Sequence, residues 1–210
     1  GANLKLKIFK NHILYSQVLF DEFLLSEFRD NQGWWANKYG IQVGYKTYNP
    51  FNITGLSYQF EFNSVRPYTY SHVSSLQNYA HNSQSLAHPL ESNFNEFLCR
   101  VYYQINNISL LFQYNYQIYG KNIMNNNYGG NMFNSYLTYY QEYNNYITQG
   151  EENVVTYYGV QLSYMLIPKT ATTFFVRLDY RDIRTNNFTS NNYLFSIGIK
   201  SHLWETYSDY

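Results

Sequence analysis

Residues 108–117 read ISLLFQYNYQ. Ile108, Leu110, Phe112, Tyr114 and Tyr116 fall on one face of an extended chain. Ser109, Gln113, Asn115 and Gln117 fall on the other, with Leu111 as the exception. Successive side chains of a strand point to opposite faces, so a two-residue period names a strand with one apolar and one polar side. The pattern recurs outward. Thr54, Leu56, Tyr58, Phe60 and Phe62 alternate with Gly55, Ser57, Gln59, Glu61 and Asn63. Tyr39, Ile41, Val43 and Tyr45 alternate with Lys38, Gly40, Gln42, Gly44 and Lys46. Tyr193, Phe195, Ile197 and Ile199 alternate with Ser196, Gly198 and Lys200.

Strands are expected at about 3–10, 13–23, 37–48, 53–71, 95–105, 108–121, 154–166, 172–185 and 192–204. Runs near ten residues exceed the five or six usual in soluble sheets. Their connections alternate. Asn11-His12, Asn49-Pro50-Phe51-Asn52, Asn106-Asn107 and Ile167-Pro168-Lys169-Thr170 are tight. The others are long, about 24–36, 73–94 and 122–153, with a shorter one near 186–191. Outer-membrane barrels segregate short periplasmic turns from long extracellular loops, and a soluble sandwich has no reason to. The expected fold is therefore an all-β, antiparallel transmembrane β-barrel, with residues 1–210 as the C-terminal portion of one barrel.

Composition agrees. The chain has 26 Tyr and 15 Phe, only 13% charged residues and a formal net charge of +0. Tyr suits a surface that is greasy at mid-height and wet at its rims. A disordered Tyr/Asn-rich segment would show no organised alternation. Neutrality argues against a nucleic-acid partner. No apolar run is long enough for a transmembrane helix, but barrel strands need only about ten alternating residues. Cys99 is the sole cysteine, so it has no intrachain partner, and it falls on the apolar face. With tight turns in the periplasm, the final strand descends and Tyr210 ends there, in a stretch (Asn192–Tyr210) like a barrel C-terminus. The first strand also descends. About nine strands is an odd number and Gly1 is no initiator Met, so further strands are expected upstream, in a protein that is processed or a fragment.

The densest unusual stretch, Arg66–Phe97, holds three of the five His: His72, His81 and His88, with Glu91 and Glu96. Spacings of nine and seven fit no common metal motif, so no metal and no cofactor are expected. A loop folded over or into the barrel, stitched by His and Asn hydrogen bonds, is the plainer reading; sugar or peptide binding is the other. Val65–His72 (VRPYTYSH), Asn78–Phe97 (NYAHNSQSLAHPLESNFNEF), Asn127–Phe133 (NYGGNMF) and Gln17–Phe23 (QVLFDEF) resemble the Wzi-type capsule-assembly barrels and the related RemB gliding-motility outer-membrane proteins. Where this chain has Glu91, those families tend to carry Gly. The resemblance covers about half of the chain. It implies a larger barrel serving surface polysaccharide or cell-surface machinery, with Arg66, Tyr68, Tyr70, His72, His81, His88, Pro89 and Glu96 in its motif loop.

Charges on a lipid face cost about 2–4 kcal/mol at mid-depth, so Arg100, Arg177, Asp179 and Arg181 are assigned to the lumen, with Glu61, Glu96, Lys38, Lys46 and Lys200. Trp34-Trp35 and Trp204 near strand ends read as an interfacial girdle. The Tyr-rich loop Asn131–Val154 suits carbohydrate or protein contact. No G-x-S-x-G, phosphate loop or C-x-x-C is present, and Asp21, Glu22, Ser71 and His72 carry no nucleophile–base spacing. The chain is read as a non-catalytic outer-membrane barrel supporting surface assembly (capsule, gliding or secretion), the alternative being a selective or passive pore. Its expected partners are outer-membrane lipid and lipopolysaccharide, surface polysaccharide and other outer-membrane subunits.

Overall fold

A computed structural model describes residues 1–201. Among the described residues eleven strands occur in order: β1 (Ala2–Phe9), β2 (His12–Glu22), β3 (Lys38–Tyr48), β4 (Leu56–Val65), β5 (Ala80–His81), β6 (Gln84–Ser85), β7 (Phe94–Ile105), β8 (Ile108–Lys121), β9 (Glu151–Ile167), β10 (Thr172–Thr185) and β11 (Thr189–Lys200). One helix, α1, covers Leu25–Asp30. All but β5 and β6 form one nine-stranded antiparallel sheet in the order β1-β2-β3-β4-β7-β8-β9-β10-β11. The described strands therefore make an up-and-down meander. Among the described residues β1 and β11 each pair on one side only, so the sheet is open.

Three expectations are corrected. The strand expected over 53–71 runs only from Leu56 to Val65, so the joint expected at Asn49–Asn52 extends over 49–55. Pro67 has no N–H to give a ladder, and Tyr68 and Tyr70 take left-handed backbone angles, φ 65° and 71°. β9 begins at Glu151, three residues before expected. The joint near 186–191 is only Asn186–Phe188, closed by Thr185 N–H donating to Phe188 O. Otherwise the connection pattern holds: Lys10-Asn11, 49–55, Asn106-Asn107 and Pro168–Ala171 at one end, and 23–37, 66–93 and 122–150 at the other. Asn49, Asn52 and Asn106 supply the left-handed residues that the tight turns need.

Register separates the two faces. Ser16, Val43, Phe62, Phe97, Tyr116 and Thr156 form one cross-strand row on the outer side. Lys46, Gln59, Arg100 and Gln113 form one on the inner side. The inner side is concave: Lys46 on β3, Arg100 on β7 and Lys200 on β11 all line one cavity of about 390 Å3. Two features let it curl. Tyr15 lies flat over Gly44, where any Cβ would collide with its ring. Arg177 crosses Gly159 to reach Gln113 on β8, two strands away, at 2.7 Å.

The outer side is bulky and uncovered. Leu162, Leu178, Phe195, Ile197 and Ile199 stay 54 to 66% exposed. Rings run across it in an unbroken series from Tyr45 through Tyr58, Phe60, Phe97, Tyr114, Tyr158 and Tyr180 to Tyr193, neighbouring centroids 4.8 to 6.5 Å apart. No helix among the described residues is long and apolar enough to cross a membrane, a test blind to strands.

Candidate functional site

The buried core is not under the sheet centre. It lies at the long-loop end, where Val65 and Phe94 from the concave face meet Tyr70 and Met132 from the loops, with Leu19, Leu90 and Tyr119 around them. Apolar concave residues at these strand ends thus draw the loops inward, and the loops fold over that end of the polar trough.

Backbone polar groups of folded-in loops need partners, and Asn and Arg side chains supply them. Arg66 Nη2 donates to Trp34 O at 3.2 Å and Asn145 O at 2.9 Å, tying all three loops together. Asn145, fully buried, donates Nδ2 to Gly33 O, Gln141 O and Glu142 O. Asn93 Nδ2 donates to Gly120 O and Gln149 O, and its Oδ1 accepts from Thr148 N–H. Tyr68, 1% exposed, donates its hydroxyl to Asn127 O at 2.8 Å and accepts from Tyr140 N–H. Burial pushes that phenol up to about 12. Gly129 must be glycine: φ is +76° and a Cβ would sit 2.5 Å from Tyr68 N. Its carbonyl accepts from Tyr68 N–H and from Ser92 Oγ. So VRPYTYSH and NYGGNMF, far apart in sequence, form one joint.

Two histidines of the 66–93 loop face carboxylates of the sheet. His88 Nε2 lies 2.8 Å from Glu96 Oε2 on β7 and stacks on Phe94, centroids 4.4 Å apart. His72 Nε2 lies 3.8 Å from Asp21 Oδ1 on β2. Asp21 also accepts from Tyr70 N–H. His81 is exposed on the small β5–β6 hairpin, and Pro89 is exposed beyond it. Among the described residues no Ser, Thr or Cys side chain hydrogen-bonds to these histidines; Ser71 Oγ is spent on Tyr68 O. Nor does any group of three or more His, Cys, Asp and Glu stand together as metal ligands among them.

Glu96, 5% exposed, accepts from Asn63, Asn115 and Gln117 as well as facing His88. Asn63 Nδ2 also donates to Glu61, which takes further bonds from Tyr15, Gln42 and Gln59. This chain of amides and acids runs from the loops down the concave wall. Lower down, Arg177 Nε grips Asp179 at 2.9 and 3.0 Å. Arg181 shares their face and is exposed, and Arg100 is exposed in the cavity.

Sequence reasoning counted Lys38 among the lumen charges and missed its burial. It sits 3.8 Å over the Tyr136 ring and pairs with Glu22 at 3.2 Å. It also missed Asn145, whose role is set by a loop 112 residues away. Trp35, expected in an outer girdle, instead stacks on Tyr139 in the loop cluster, centroids 4.6 Å apart and nearly parallel. Trp204 lies outside the described residues. Half-buried Glu91 holds Met132 N–H from a left-handed backbone, φ 63°. Comparison with family models, with curated proteins and with solved structures returns no match to this chain.

Proposed function

We propose that this sheet is the wall of an outer-membrane β-barrel, plugged at its extracellular end by its own loops, that serves cell-surface assembly without catalysis. One observation carries the reading: an uncovered apolar face spans all nine strands, opposite a trough of hydrogen-bonded polar and charged groups. In water such a face far exceeds the apolar patch that a soluble monomer exposes. In lipid it is the required surface, and the polar trough becomes the lumen. Segregated turns and loops support one orientation, with tight turns periplasmic and long loops outside. β1 and β11 run in the same sense, because nine strands alternate. An all-antiparallel closure therefore needs an odd number of added strands.

The loop cluster favours a supporting or docking role over free diffusion, since its loops fold over one end of the polar trough. Capsule assembly or gliding machinery as the setting rests on the resemblance of the loop motifs alone. The cavity at the opposite end favours one rival, a pore. The decisive experiment reconstitutes the purified full chain in bilayers. Insertion is read by protection of outer-face positions from aqueous reagents, and conductance is recorded on the same vesicle preparations. Protection with no steady current supports the plugged barrel. A steady open channel replaces it with the pore, and failure to insert removes both.

A further inference from the structure

Along the strand axis the concave face differs in how its charges are met: Lys38, at the loop end, pairs with Glu22 and sits over the Tyr136 ring. Toward the long loops the face also carries Glu61 and Glu96, bridged by Asn63. Toward the tight turns the cavity is lined by Lys46, Arg100 and Lys200, with no Asp or Glu among its described lining residues. Two described carboxylates of the same concave face are occupied, Glu61 by Tyr15 and side-chain amides, Asp179 by Arg177 and Tyr157. Among the described residues the Arg100 side chain makes no hydrogen bond or ion pair. Lys46 has only the Tyr15 ring, at 5.1 Å.

Lys46 and Arg100 flank Gln59 in one hydrogen-bonding row. Two strand spacings, about 9.5 Å, separate their backbones. Side chains of that length are long enough to reach one group between them, while the Gln59 amide between their strands is spent on Tyr15 and Glu61. Like charges with no counter-charge among the described residues repel, and in a concave wall they focus a positive potential. A guanidinium fork matches two oxygens of one carboxylate or phosphate, and an ammonium adds a point charge.

We infer that this basin is an oxyanion site, taking a carboxylate or phosphate group that enters from the tight-turn side. The inference deepens the barrel reading, on which it rests for one point only, namely that the entry side is the periplasm.

The test titrates the full chain in mild nonionic detergent with inorganic phosphate and, separately, with succinate, by calorimetry. Saturable binding of either probe is expected, and the tighter of the two identifies the oxyanion. The double variant K46Q/R100Q should lose about tenfold or more in affinity. K121Q, at the loop end, should bind as the parent does. Circular dichroism of each variant checks that the sheet is retained. Absence of saturation with both probes overturns the site. So does equal displacement by chloride, the result expected of a merely solvated cationic surface, and so does unchanged binding by a folded K46Q/R100Q. Parent protein that inserts into vesicles but binds neither probe sinks this site alone. Parent protein that binds but does not insert keeps the site and sinks the barrel.

Discussion

The two ends of the trough are built by the same strands and differ in almost every property. On β7, Phe94 and Tyr102 point to the same concave face, eight residues apart. Phe94 is fully buried under loops; Tyr102 is 37% exposed in the open cavity. On β4, Val65 closes the core while Ser57 lines the cavity. Position along a strand, not face alone, therefore sets environment. The loop end behaves as a small globular core with its own hydrogen-bond frame, and the turn end as a solvated, basic bowl.

That contrast breaks most visibly with Phe94→Ala. It should cost about 3–5 kcal/mol, read by denaturant unfolding of the loop cluster. Tyr102→Ala on the same strand and face should cost under about 1 kcal/mol. Equal losses would mean that the ends are not distinct. Leu178→Arg, at mid-strand on the outer face, should cost about 2–4 kcal/mol in bilayers and suppress insertion. Ser109→Arg, on the concave face, should insert normally. If both insert alike, the apolar face does not meet lipid. Arg66→Ala strands the Asn145 carbonyl, leaves Trp34 O with Asn37 N–H alone, and should loosen the cap by about 1–3 kcal/mol. Limited proteolysis within 131–146 and faster exchange of the Trp35 and Asn145 amides would report it, with the nine-stranded ladder still protected. Protection unchanged at both amides refutes the Arg66 joint.

The smallest effect concerns Glu91. Burial raises its carboxyl above the ordinary range, offset in part by the Met132 N–H bond. A raised acid binds more protons folded than unfolded, so this group stabilises the cap at low pH. That contribution fades as pH rises from the ordinary carboxyl value through the folded one. Exchange protection of the Met132 amide should fall over that window in the parent and stay flat in Glu91→Gln. A parent profile that rises instead would reverse the assignment.

Much of the sheet was legible because alternation is a local property. β8 and β10 begin and end where the two-residue pattern does. Overrun occurred at Arg66–Ser71, where the apolar and aromatic residues continue but Pro67 and two left-handed tyrosines turn the chain. Proline was the available signal there. The cap was legible only as an unusual stretch of residues. Which Asn would be buried depends on pairings such as Asn145 with Gly33, and Trp35 with Tyr139, that no local pattern encodes. Lys38 was read as one more lumen charge, since nothing in its neighbours announces the Tyr136 ring above it.

Alternation alone cannot tell a strand from the same strand slipped by two residues, because every side chain keeps its face. The ring series removes that ambiguity. Tyr158, Tyr180 and Tyr193 are direct cross-strand partners, and a two-residue slip of β10 against β9 would set Tyr180 beside Thr156 or Val160. Ladder hydrogen bonds would re-form, but the stacked pair would be lost on both sides. The aromatics thus act as a vernier, reading out the one alignment among several that polarity leaves equivalent.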